Sequence, residues 1–184
     1  MMPMVGNERG FTLAEILVGA VIVAVGIAGL FVVMPLAGYG IQQGNQMSTA
    51  TFLAQQRLEQ VRNATWTGYP TAVAGVTFDC LGTSSSNNAP TSTTCNVSPC
   101  TNGTSCTTFA DESSTSISGF SGYSRTVRVT DCSVGAGCGT TTPIVSANAR
   151  LVTVTVTYTP STGAGAASSG QTQSVVLDLL VAQR

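Results

Sequence analysis

The sequence predicts an α+β protein. One long N-terminal helix spans a membrane with its first half and packs with its second half on a small antiparallel sheet carrying a disulfide-tied loop. Three observations carry that expectation. No charged side chain occurs from Ile16 to Gln56. Three stretches in the C-terminal half alternate with the period of two that marks a strand. Six cysteines, an even number, lie beyond the helical region, three of them inside a Ser/Thr-rich segment.

The run from Ile16 to Leu36 reads ILVGAVIVAVGIAGLFVVMPL. As a helix its 21 residues would cover about 31 Å, matching the roughly 30 Å hydrocarbon core of a bilayer. Gly19, Gly26 and Gly29 weaken a soluble helix but are common in membrane helices, where small residues allow close contact. Pro35 is expected to kink or loosen the helix near its exit. A buried core helix is the competing reading, and the length of the run argues against it. A cleaved secretory signal needs a basic head, an apolar stretch of about 7–15 residues and a small-x-small cleavage site. Here Arg9 is offset by Glu8, the stretch is longer, and no such site follows.

Glu15 does not fit a plain anchor. A carboxylate in a membrane helix costs a few kcal/mol at mid-bilayer, on the order of 2.5–3.5, and is usually paired. It either reaches the headgroups from the helix start, where the dipole favours it, or meets a cation. Residues 16–56 offer no cation. A free α-amine on Phe11 would serve, were the chain cut after Gly10.

Gly10-Phe11-Thr12-Leu13-Ala14-Glu15-Ile16-Leu17-Val18 resembles the prepilin cleavage and methylation motif of the type IV pilin superfamily. The continuation Val21 to Leu30 is most similar to PilV-type minor pilins and the minor pseudopilins of type II secretion. The leader carries little net positive charge, unlike most of the family, and Pro35 lies later than in major pilins, as in the minor group. The resemblance implies that Gly10 precedes the scissile bond, that Phe11 becomes the N-methylated first residue, and that Glu15 meets the Phe11 amine of a neighbouring subunit. It implies a pilin-like fold divided into a leader (1–10), a transmembrane and filament-core helix (11–38), an amphipathic continuation (39–66) and an extracytoplasmic head (67–184). Implied partners are other pilin or pseudopilin subunits, a prepilin peptidase, an inner-membrane assembly platform and the lipid bilayer. The implied location is the inner membrane, single-pass with a cytoplasmic N-terminus, and then a pilus or periplasmic pseudopilus.

Beyond the membrane, Met47, Ala50, Thr51, Ala54, Leu58 and Val61 recur at spacings of three and four and give one apolar or small face. Gly38, Gly40 and Gly44 suggest local melting, and the helix is expected to run from about Thr12 to Ala64, with a turn at Trp66 to Pro70. Tyr123–Thr130, Arg150–Thr159 and Ser174–Ala182 read as strands of an antiparallel meander, the last two joined by the Gly/Ala/Ser-rich connection Pro160 to Gly170. Leu58 and Val61 could cover its apolar face.

From Thr83 to Ser118, 19 of 36 residues are Ser or Thr. Composition this polar is expected to bury no core of its own. Cys80, Cys95, Cys100, Cys106, Cys132 and Cys138 contain no CxxC pair and have no His beside them, so structural disulfides are expected rather than a metal site. Six cysteines allow 15 pairings. We expect Cys132 and Cys138 to close one short loop, and one of Cys95, Cys100 or Cys106 to tie back to Cys80.

Composition limits the chemistry. The 184 residues include 7 Arg and no Lys or His, against 8 Asp and Glu, for a net charge of −1 and a charged fraction of 8%. An ordinary soluble domain is roughly 25% charged. A nucleic-acid binder would show a basic stripe, and Arg125 and Arg128 fall on opposite faces of their strand, so no nucleic-acid partner is expected. Without His, no His-based triad can form. Asp111-Glu112 reads as a solvated turn, and the sequons at Asn63, Asn96 and Asn102 as chance matches in a Ser/Thr-rich chain. No cofactor, metal or catalytic residue is expected. The expected function is a minor type IV pilin or pseudopilin that helps assemble or modify a pilus or secretion pseudopilus. The alternative is an adhesive module anchored to membrane or filament, whose loop from Cys80 to Ser118 recognises a surface, glycan or DNA. A membrane-anchored enzyme is a third class, disfavoured by the absent His and scarce charge.

Overall fold

The computed structural model describes residue 10 and residues 12–67, 77–139, 141–160 and 170–183. The leader before Gly10, Phe11, the turn residues Gly68 to Pro70 and most of the connection from Pro160 to Gly170 lie outside the described residues. In order, the elements are α1 (Leu13–Arg62), β1 (Thr91–Ser92), β2 (Cys106–Thr107), β3 (Tyr123–Asp131), β4 (Ala149–Tyr158) and β5 (Gln173–Ala182). The chain forms two compact units, Met1–Gln42 and Gln43–Arg184.

The first unit is the apolar stretch of α1. Leu13–Phe31 is long and apolar enough to cross a membrane, with a mean hydropathy of 2.5 and 0% of its most apolar stretch buried within the chain. This window starts earlier than the expected Ile16–Leu36, because Leu13 and Ala14 already belong to the apolar run. The backbone stays helical through Pro35, Gly38, Gly40 and Gly44, so the expected melting is not seen. Proline withholds one N–H and glycine costs about 1 kcal/mol relative to alanine, losses that a 50-residue hydrogen-bonded helix absorbs.

The second unit packs the end of α1 on an antiparallel sheet of order β3-β4-β5. The register opposes Val127 with Val154 and Val129 with Val152, and Val154 with Leu177 and Val152 with Leu179. Alternation then puts Val152, Val154, Val156 and Tyr158 inward and the threonines between them outward. The inward set meets Ala50, Leu53, Ala54 and Val61 of α1 in one core that also takes in Trp66, Leu81, Phe109 and Ile117. Each fully buried Val or Leu contributes about 1.5–3 kcal/mol by leaving water. Leu53, absent from the expected face, is fully buried, whereas Met47 is 58% exposed. The covered face begins one turn later, at Ala50, and runs through Leu53 and Ala54 to Val61. The helix also ends at Arg62, two residues short of expectation.

The Ser/Thr-rich segment is not the coreless loop its composition suggests. Its few apolar residues, Phe109 and Ile117, enter the main core. Its cysteines form a second cluster in which Cys80, Cys95 and Cys100 are buried and Cys106 packs against them. The structure joins Cys80 to Cys95, Cys100 to Cys106 and Cys132 to Cys138. The last pair closes a tight loop against Ala149, where Gly137 supplies a positive φ of 84° that a side chain would resist.

Candidate functional site

Two sets of polar groups distinguish this chain: a single acid at the start of an apolar helix, and a group of arginines that fasten the head. At the helix start, Thr12 is the N-cap. Its carbonyl accepts from the Glu15 and Ile16 amides at 3.0 and 3.3 Å, and its Oγ1 accepts from the Glu15 amide at 3.3 Å. The Glu15 amide, one of the opening amides that have no partner within a helix, is thereby satisfied, and the Ile16 amide makes the first regular helix bond. The Thr-x-x-Glu spacing is the capping-box signature, a signal the sequence carried and the reading above did not use. Glu15 stands exposed in the first turn, as does Gly10 two residues before the cap. Phe11, the expected methylation site, lies outside the described residues. From Leu13 to Phe31 the large apolar side chains are exposed, with Leu13 at 77% and Phe31 at 72%. No other charged residue lies between Gly10 and Arg57. Such a surface is stable only against lipid or other apolar helices.

In the head, four arginines clamp the segment after α1. Arg125 on β3, 4% exposed, sends Nε to Glu112 Oε2 at 2.6 Å and Nη1 to the Leu53 carbonyl at 2.9 Å. Arg57 of α1 reaches the same Glu112 oxygen at 3.1 Å and lies 5.6 Å from the centre of the Phe109 ring. Burial pulls the Arg57 guanidinium below its usual pKa; Glu112 opposes that shift and Arg125 adds to it. Arg128, on the outer face, grips Asp111 with two nitrogens at 2.7 and 2.8 Å. The hydrogen bond to Asp111 raises the Arg128 pKa, outweighing partial desolvation. Arg150 on β4 binds both Asp79 oxygens at 2.7 Å, donates to the Leu81 carbonyl and stacks 4.5 Å from the Trp66 ring centre.

Asp111 and Glu112 are therefore not a solvated turn. Charge-assisted pairs of this geometry are stronger than neutral ones, and in the head they tie a segment with few apolar side chains to the sheet and to α1. Glu112 also exchanges backbone hydrogen bonds with Arg125, both at 2.8 Å, and the Ser84 amide donates to the Val129 carbonyl at 2.9 Å. The outer edge of β3 is covered by these contacts.

Three open depressions lie among the described residues of the head. One, of about 480 Å³, runs between residues 62–67 and the end of β5 and is lined by Trp66, Leu180 and Gln183. A second, of about 280 Å³, lies beside the first two disulfides and is lined by Gln60, Asn63, Pro99 and Phe109. The third, of about 240 Å³, is lined by Asp79, Thr83, Ser92, Ser105 and Arg150, so the Asp79–Arg150 pair borders an open depression. Among the described residues no cluster of Cys, Asp and Glu could hold a metal ion.

Residues 6–31 match the family model described as a prokaryotic N-terminal methylation motif. No curated protein and no solved structure matches the chain. The methylation motif, continuous with an exposed apolar helix, supports a type IV pilin-like protein that is processed at its N-terminus and anchored in a membrane.

Proposed function

We propose that the protein is a minor type IV pilin or pseudopilin, of the PilV type or its type II secretion counterpart, that helps assemble or modify a filament. Residues 1–10 are a cytoplasmic leader, residues 11–38 the membrane and filament-core helix, 39–66 its continuation, and 67–184 a head outside the inner membrane. A prepilin peptidase cuts between Gly10 and Phe11, and the new Phe11 amine is N-methylated. With an assembly platform in the inner membrane, the helix leaves lipid for a bundle of neighbouring helices. Lipid and bundle are both apolar, so the transfer is nearly neutral. The one residue that is not neutral to it is Glu15. Pairing with a neighbour's Phe11 amine removes the penalty of a bare carboxylate and fixes the axial register.

The observation that carries this reading is the isolation of Glu15: one acid at the first turn of α1, in the apolar stretch Leu13–Phe31 that the chain itself leaves unburied. The test is the intact mass and N-terminal sequence of the mature protein, with a Glu15→Val variant beside it. A start at Phe11 bearing one extra methyl group is expected. The variant should insert in the membrane and stay out of filaments. An uncut chain, or a variant incorporated as well as the wild type, would overturn the proposal.

A second reading is an adhesive module. It draws on the clamped Ser/Thr-rich segment, which presents Asn87, Asn96 and Asn102 as exposed polar groups on a fixed frame. Deleting that segment would remove Phe109 from the core and Glu112 from Arg57 and Arg125, so point substitutions are the cleaner probe. Asp at those three positions should abolish surface attachment with filaments intact if the segment is adhesive.

A further inference from the structure

The disulfides join cysteines that are consecutive in the chain, at separations of 15, 6 and 6 residues. Random closure of the unfolded chain does not favour that pattern. Cys95 lies five residues from Cys100, closer than to its own partner Cys80. Closure probability falls roughly as the three-halves power of loop length, so a Cys95–Cys100 loop should form about fivefold more often than Cys80–Cys95.

Contacts local to the first pair form early. The Cys80 amide donates to the Thr65 carbonyl at 2.7 Å and the Asp79 amide to the Thr94 carbonyl at 3.3 Å, so residues 65–95 already hold Cys80 beside Cys95. The Arg150 pair with Asp79, from 71 residues downstream in β4, is added later. In the complete head Cys80, Cys95 and Cys100 are buried in one cluster with Cys106 packed against it, so wrong partners are close at hand as well as right ones. Order of emergence separates the partners. In a head that crosses the membrane in chain order behind a cytoplasmic N-terminus, Cys80 is the one thiol of the six available when Cys95 appears, and Cys100 finds Cys95 already used.

We propose that the head is oxidised in sequence order during export, each second cysteine closing on the one before it, by a fast thiol oxidase and without disulfide isomerisation. This rests on the reading of an exported head. In each closure one thiolate attacks the oxidase disulfide to give a mixed disulfide. The second thiolate displaces the oxidase from it. The oxidase leaves as a dithiol with the two electrons and two protons of the pair. The five residues between Cys95 and Cys100 correspond to about 0.25–1 s at a chain growth of roughly 5–20 residues per second. Uncatalysed oxidation takes seconds to hours, so the ordering requires a catalyst.

The test maps disulfide-linked peptides by mass spectrometry on full-length protein from cells lacking disulfide isomerase activity. It is repeated on the same chain after reduction and reoxidation with oxidised glutathione in strong denaturant. The cellular protein is expected to carry the three consecutive pairs. The unfolded chain should carry Cys95–Cys100 about fivefold over Cys80–Cys95, and Cys100→Ser should reverse that preference. Mispaired protein from the isomerase-deficient cells, or an unfolded chain that prefers Cys80–Cys95, would overturn the proposal. Fully reduced cysteines in the cellular protein would instead overturn the exported head, and this inference with it.

Discussion

The apolar stretch of α1 and the head use the same residues to opposite ends. Between Leu13 and Phe31 the valines, leucines and isoleucines face outward and Glu15 is the one charge. In the head, Val127, Val129, Val152, Val154 and Val156 are fully buried, and every Asp-Arg or Glu-Arg pair but Arg62–Glu59 ties separate segments together. The head satisfies its apolar surface internally, whereas the stretch needs an environment to do so. A substitution should therefore change head stability in the second unit and leave it unaltered in the first. The single tryptophan, Trp66, sits in the head core and reports on it by fluorescence.

The largest expected effect is at Arg125. Replacing it with Met removes its hydrogen bonds to Glu112, to the Leu53 carbonyl and to Gln56 and leaves Glu112 with Arg57; hydrogen bonds to a charged group contribute about 1.5–3 kcal/mol each. Urea unfolding of the full chain in detergent, followed at Trp66, should show a midpoint lowered accordingly. An unchanged midpoint would mean that the clamp contributes nothing. Next comes a matched pair of substitutions. Leu53→Ala should cost about 2–5 kcal/mol in the same experiment, whereas Leu17→Ala should stay within about 0.5 kcal/mol. If Leu17→Ala destabilised the head as much as Leu53→Ala, the contrast between the two units would be wrong.

That contrast also explains which parts of the molecule were legible in the sequence. The span and the strands announce themselves through local pattern: a run without charge, and the alternation of Val and Thr in β4. The residues that join them do not. Arg150 and Asp79 are 71 residues apart and Arg128 and Asp111 are 17 apart. Nothing in residue type or spacing assigns one arginine to one acid. The Ser/Thr-rich segment looked coreless because Phe109 and Ile117 are few in number, yet they need only enter a core built by others. Leu53 was overlooked because a face counted from Met47 drifts away from one that begins at Ala50. At Thr12 the signal was local and readable, and the capping spacing to Glu15 holds it.

Thr12 gives a smaller effect that sharpens the comparison. Thr12→Ala removes the N-cap side chain, which costs about 0.5–2 kcal/mol. The loss should stay in the first turn, as faster amide hydrogen exchange at Glu15 and Ile16, with no change in the urea midpoint at Trp66. A lowered midpoint would show that the helix start and the head unfold together.

The smallest effect lies at the end of β3, where the Asp131 carboxylate accepts from the Ser133 amide at 2.8 Å and fixes the turn into the Cys132–Cys138 loop. The hydrogen bonds of Ser133, backbone first, hold the Asp131 pKa below its usual value; slight desolvation opposes them and Arg150 assists. A carboxyl depressed on folding contributes stability that is present above its unfolded pKa, about 3.9, and is lost as the pH falls through the folded value. Asp131→Ala should therefore lower the thermal midpoint slightly at pH 6, and the gap to wild type should close as the pH falls below about 4. The group is close to solvent, so salt should shrink the small Arg150 share of the gap and leave the part owed to Ser133. A gap that persisted unchanged in acid would assign the turn to packing rather than to the carboxylate.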